Sequence, residues 1–286
     1  MMGHRRRLCL PNRLPHRVWF VPHRFAAGDG HVAAGCGRGG YGGVKRNFGK
    51  MKRHSILISV LVLLFIGFPG FLSFGEPQGE DLPKGFVYVD RAIPDIVIDL
   101  RYCTAHNFVG ERIDGYLKPR CILTKEATEA LLQVQKELQP FGLGLKIFDA
   151  YRPQQAVDHF VRWANNLEDT RTKTEFYPDI NKNSLIKDGY IAARSSHSRG
   201  STVDLTIVSL QAETAGQELD MATGFDFFGP ASSPFFPGLS PAQRAHRMLL
   251  HTLMKRHGFE PYPEEWWHFT LKSEPFSDTY FNFPIQ

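Results

Sequence analysis

The chain has 286 residues, a formal net charge of +5 and four cysteines, enough for one good-sized domain plus extra segments. The charge is unevenly placed. Residues 1–54 hold 12 of the 34 Lys and Arg and a single acid, Asp29, leaving 22 basic and 28 acidic residues, a net of −6, for the rest. The basic balance therefore belongs to the leader. That leader carries no nucleic-acid-binding motif, so no nucleic acid is expected as a partner.

Residues 1–50 are rich in Arg, Gly and His and show no hydrophobic period. Met51-Lys52-Arg53-His54 followed by the apolar run Ile56 to Phe68 has the form of a secretory signal peptide. The simplest reading makes Met51 the true start and residues 1–50 the product of a mis-assigned upstream start codon. Small residues at Ser73 and Gly75 place cleavage after Gly75. The run falls short of the ~20 residues of a spanning helix and is interrupted by Pro69 and Gly70. The expectation is a signal peptide over 51–75, a periplasmic or secreted product, and no stable membrane span after cleavage. Residues 76–85 read as a linker, and the domain covers 86–286.

Within the domain, Phe86 to Arg101 holds two strand-like stretches divided by Pro94. Cys103 and Cys121 follow. Their spacing leaves a disulfide and two buried thiols equally open, and without a CxxC pair cysteine is not expected to bind metal. Thr124 is a candidate N-cap for a helix to about Gln139, with Ala127, Leu131, Val134 and Leu138 along one face and Gly142 placed to close it. Alternation over Leu143 to Phe148 predicts a strand ending at Asp149-Ala150-Tyr151-Arg152-Pro153. Pro153 suits the first turn of the next helix, running to Asn166. Residues 167–190 are polar and are expected to form an exposed excursion. Thr202 to Val208 predicts a strand whose polar positions, Thr202, Asp204 and Thr206, share one face. A loop with Phe225-Asp226-Phe227-Phe228 follows. Ser240-Pro241 opens a last helix ending near His257-Gly258, and Trp266 to Leu271 reads as a final strand. Strands and helices do not alternate strictly, which predicts an α+β fold with a mostly antiparallel sheet flanked by helices.

Two segments carry chemistry: Ser195 to Asp204, with His197 and Asp204, and Glu265 to His268. Two histidines and an aspartate supply the three protein ligands of a catalytic zinc site, with a fourth position left for water of pKa lowered towards ~7. Glu265, three residues before His268, could take a proton from that water and pass it to a leaving amine. Arg152, just after a strand, could stabilise an oxyanion. Taken singly, each has a plainer reading: a capping or surface His–Asp pair, a solvated acid beside Glu264, an arginine paired to a carboxylate. Their co-occurrence at strand ends and loops favours the metal. Ser195 and Ser196 beside His197 do not build a serine triad by adjacency alone.

The pattern SxHxxGxAxD runs from Ser195 to Asp204, with Thr202 in place of Ala, and an ExWH pattern from Glu265 to His268. With Arg101-Tyr102, Asn107-Phe108, Asp149 to Pro153, Gly189-Tyr190, Phe225 to Phe227 and Tyr280 to Pro284, the chain resembles, over roughly residues 84–286, the VanX-type D-alanyl-D-alanine dipeptidases. These belong to the zinc D,D-peptidases that share a fold with the hedgehog signalling domain. The resemblance implies one zinc ion held by His197, Asp204 and His268, Glu265 as catalytic base and Arg152 as transition-state stabiliser. It further implies Asp226 on the dipeptide's ammonium, and Ser195 and Tyr102 lining the substrate site. An exported dipeptidase points to recycling or scavenging of cell-wall dipeptide in place of depletion of a cytoplasmic precursor. The alternatives are a murein D,D-carboxypeptidase or endopeptidase of the same fold and a non-catalytic zinc-binding module.

Overall fold

The computed structural model describes residues 82–286. The leader 1–50, the signal segment 51–75 and the first part of the linker lie outside the described residues. No helix among the described residues is long and apolar enough to cross a membrane.

The described residues open with β1 (Phe86–Tyr88), a single-turn α1 (Val89–Ala92) and β2 (Val97–Ile98). Then come β3 (Ile122–Thr124), α2 (Lys125–Leu138), β4 (Leu143–Asp149), α3 (Gln154–Asn165), the short α4 (Lys173–Phe176) and β5 (Thr202–Ser209). It ends with α5 (Pro241–Arg256), β6 (Phe259–Pro261) and β7 (His268–Leu271). β1 pairs with β3, and the other five strands form one sheet in the order β2-β4-β5-β7-β6. Among the described strands of this sheet, β2 and β4 pair in parallel and the other neighbours pair antiparallel. The expected α+β fold with a mostly antiparallel sheet is the one observed.

The long helices form where the sequence placed them, for identifiable reasons. Thr124 caps α2 by accepting from the Ala127 N–H. The helix buries Ala127, Leu131, Val134 and Leu138, each larger side chain contributing about 1.5–3 kcal/mol on leaving water. A 3-10 turn, Gln139–Phe141, ends it at Gly142, whose φ of 67° is the left-handed conformation glycine adopts without strain. α5 starts with a reciprocal capping box between Ser240 and Gln243.

Three local expectations need correction. Pro153 is the N-cap of α3, with an extended ψ of 149°, and the first helical residue is Gln154. β7 begins only at His268, because Trp266 and Trp267 sit buried in the turn before it. The polar stretch 167–190 is anchored to the core by Phe176, Tyr177 and Leu185, and the Phe228 N–H donates to the Phe176 carbonyl at 2.7 Å. The Cys103 and Cys121 thiols are both free, and burial pushes Cys103 up to about 12.

Candidate active site

The register of the central sheet builds the site. Asp204 on β5 stands opposite Asp149 on one neighbour, β4, and opposite His268 on the other, β7. A bulge between Ile147 and Asp149 re-aims the end of β4. His197 comes from a 3-10 turn, Ser196–Arg199, directly before β5. Ser195 caps that turn by accepting from the His197 N–H, and Gly200 closes it at φ 83°. A β-carbon at Gly200 would overlap the Phe86 ring, so both backbone and packing require glycine there.

His197, Asp204 and His268 bring their ligand atoms within 4.8 Å of one another. His197 Nε2 lies 3.2 Å from Asp204 Oδ2, and His268 Nδ1 lies 3.1 Å from Asp204 Oδ1. The two histidine nitrogens are 3.3 Å apart. Tautomers follow from the outer partners. His197 Nδ1 meets the Ala150 carbonyl at 2.7 Å and must carry the proton, leaving Nε2 bare. His268 Nε2 meets Ser196 Oγ at 3.3 Å, a hydroxyl that accepts from Nε2 in the tautomer that frees Nδ1 to bind a cation. Asp204 Oδ1 is buried without a hydrogen-bond donor. Two imidazole nitrogens and one carboxylate gathered this closely are a donor set that suits a divalent metal with an open position. Burial opposes ionisation of Asp204, but His197 and His268 outweigh it and hold its pKa below the usual carboxylate range. Burial lowers the pKa of His197 and favours the neutral, ligating imidazole. At His268 burial works the same way, yet Asp204 raises the pKa overall.

Beside these donors sits Arg152. Its Nε donates to Asp149 Oδ2 at 2.9 Å, while Nη1 and Nη2 reach Ser195 Oγ and Asp204 Oδ2 at 3.4 Å each. The guanidinium lies 5.1 Å from the ring centres of both Tyr102 and Phe160. Burial opposes its charge, but the surrounding acidic groups, Tyr102 and Asp149 foremost, raise its pKa and it stays cationic. Asp149 is fully buried and also accepts from the Tyr116 hydroxyl at 2.6 Å. Burial raises its pKa in spite of Arg152.

Glu265 Oε2 is 3.5 Å from His268 Nδ1. Its side chain keeps 19% of its surface accessible, yet burial in the cleft pushes its pKa up to about 7. Asp226 is buried, and the Tyr102 hydroxyl donates to both its oxygens at 3.1 and 3.0 Å. Burial, helped by the charge of Asp204, raises the Asp226 pKa well above normal.

A cleft of about 440 Å³ joins these groups. Tyr102, Arg152, Ser195, Asp226, Glu265 and His268 line it together with Asp204, while His197 is buried behind the wall. The structure thus brings all eight residues singled out in the sequence to one place. Three participants were not assigned from sequence: Asp149, Tyr116 and Ser196. Asp149 was visible as a charged residue ending an apolar strand, but nothing in the sequence pairs it with Tyr116, 33 residues away, or Ser196 with His268, 72 residues away.

Comparisons with known proteins agree with this geometry. The Peptidase_M15 family model, described as D-ala-D-ala dipeptidase, matches residues 83–286. The D-alanyl-D-alanine dipeptidase of Streptomyces coelicolor is 44% identical over 200 residues, which are 70% of this chain and 98% of the relative. That of Enterococcus faecalis is 41% identical over 204 residues, 71% of this chain and 100% of the relative. That of Enterococcus faecium is 38% identical over 202 residues, 71% of this chain and 98% of the relative. With the family model spanning most of the chain and the relatives matched over nearly their whole length, the chain belongs to the D-Ala-D-Ala dipeptidase family of the M15 peptidases.

Proposed function

We propose that the protein hydrolyses the free dipeptide D-alanyl-D-alanine to D-alanine, with one zinc ion held by His197, Asp204 and His268. The observation that carries this reading is the convergence of three metal-ligating side chains next to Glu265 and Arg152, in a cleft whose buried wall holds Asp226. When bound, zinc supplies the Lewis acidity that makes water a nucleophile at neutral pH and polarises the scissile carbonyl.

The chain's own groups do the rest. Asp226, held by Tyr102, binds the substrate ammonium and fixes the amino end of the dipeptide. Glu265 takes the proton of the attacking water; with a pKa raised towards neutrality it can return that proton to the leaving amine. Arg152, oriented by Asp149, offers Nη donors to the oxygen of the scissile carbonyl as it gains negative charge. Ser195 Oγ, on the same wall, is the hydroxyl available to the substrate carboxylate. A buried acid for the ammonium favours a free dipeptide over the acylated end of a stem peptide, since an uncharged amide would leave Asp226 without its partner.

The test is D-alanine release by the zinc-loaded protein from D-Ala-D-Ala, from muropeptide stems and from L-Ala-L-Ala. Turnover of the first alone is expected. Turnover of stems without the dipeptide would favour a murein D,D-carboxypeptidase, and firm zinc binding with no turnover would favour a non-catalytic module.

Export is a second part of the proposal, supported by the basic start at Met51 and the apolar run Ile56 to Phe68. It would assign the activity to recycling or scavenging of wall-derived dipeptide. A reporter fused after residues 51–80 should leave the cytoplasm; retention there would remove this role.

A further inference from the structure

The loop Met221–Ser233 carries Asp226, and its backbone is unusual. Ala222 and Asp226, neither a glycine, have φ of 76° and 62°. Left-handed backbone at residues with a β-carbon persists only where surrounding contacts hold it. The two ends of this loop are held by Arg247, a residue of α5 that is 2% exposed. Its Nε donates to the Met221 carbonyl at 2.7 Å, and Nη2 also reaches Met221 O. Nη1 donates to the carbonyls of Ala231 at 2.9 Å and Ser233 at 2.6 Å. Nη2 further approaches Thr223 Oγ1 at 3.5 Å. One guanidinium thus clasps both ends of the loop, with Asp226 between them. Two other contacts tie the loop to the segment bearing Glu265: Trp266 Nε1 donates to Thr223 Oγ1 at 2.9 Å, and the Trp266 N–H to Ser232 O at 2.9 Å. The Arg247 guanidinium lies 5.8 Å from the Trp266 ring centre. Next to Asp226 itself, Ser232 Oγ donates to Phe227 O at 2.5 Å.

We infer that Arg247 is a positioning residue for recognition of the substrate's amino end: it holds the Asp226 loop against the segment that carries Glu265, so that both acids face one cleft. The inference rests on the reading of Asp226 as the ammonium-binding group. Lysine cannot replace the arginine, because a single ammonium on a flexible stem does not bridge the two ends of the loop as a planar fork of donors does.

The test compares Arg247→Lys, Asp226→Asn and the double variant in the zinc-loaded protein. Steady-state kinetics on D-Ala-D-Ala are read beside bound zinc and thermal midpoint. Arg247→Lys is expected to keep its zinc, to raise KM roughly 10-fold and to leave kcat within about threefold. The double variant is expected to show no KM increase beyond that of Asp226→Asn, because both changes remove one function. Multiplying effects, or a fall in kcat with KM unchanged, would overturn the assignment. If Asp226→Asn alone leaves KM unaltered, the ammonium-binding reading fails and takes this inference with it. If Asp226→Asn raises KM and Arg247→Lys does not, only the inference fails. Should Arg247→Lys not fold, Ser232→Ala loosens the same loop with Arg247 in place: a several-fold rise in KM is expected, and an unchanged KM would overturn the proposal.

Discussion

Arg152 and Asp149 form a buried pair in which Nε of the arginine is committed to the carboxylate at 2.9 Å, so that its two Nη groups face Ser195 and Asp204. The pair divides the guanidinium into a fixed edge and a working edge. Asp149→Asn should keep the fold and the metal but lower kcat by about 10- to 100-fold, since small misplacements of a transition-state donor cost that much. Asp149→Ala should also destabilise the protein by about 3 kcal/mol, the low end of the range for removing one partner of a buried ion pair. Steady-state kinetics and urea unfolding check the two effects separately.

Glu265 touches His268 without being one of the three converging donors. Glu265→Gln should therefore retain stoichiometric zinc while turnover falls at least ~100-fold, the usual contribution of a positioned base. Metal analysis beside the rate distinguishes this from loss of the metal site. Near wild-type turnover would remove Glu265 as the base.

The same residue sets the pH dependence. A base works when ionised, and burial raises the Glu265 pKa from the ordinary 4.5 to about 7. The charge of a bound cation draws it back down. The profile of kcat/KM should therefore rise with pH, with an acid-limb midpoint above 4.5 and no higher than about 7. Because the limb reports ionisation of that carboxyl, Glu265→Gln should abolish it in whatever activity remains. A limb that persists in Glu265→Gln would assign it to another group.

Gly200 ends the turn that presents His197 and lies four residues before Asp204. Gly200→Ala should cost about 1–2 kcal/mol for the left-handed backbone alone, with more from the contact with Phe86. Zinc affinity should fall together with thermal stability, because His197 and Asp204 flank the strained position. A stability loss with unchanged zinc affinity would show that the turn and the site are uncoupled.

What the sequence revealed about the fold depended on how local the cause was. α2 and α5 were legible because caps at Thr124 and Ser240 and apolar positions three and four apart act within each helix. β6 was missed: it is three residues long, ends in Pro261 and is a strand only because β7 pairs with it. The stretch 167–190 read as an excursion because its composition is polar, while the burial of Phe176, Tyr177 and Leu185 depends on surfaces distant in sequence. At the site, His197, Asp204, His268 and Glu265 stood out by residue type and spacing. Asp149 and Arg247 did not, since a buried charged residue looks like any surface charge until its partners are known.

The most direct test of the central claim is D-alanine release from D-Ala-D-Ala measured against zinc bound per chain, starting from chelated protein. Release should be absent without metal, rise in proportion to zinc and level off at one ion per chain, and Asp204→Asn should bind the ion weakly and follow no such curve. Hydrolysis by the chelated protein, or a zinc-saturated protein that leaves the dipeptide intact, would contradict the account.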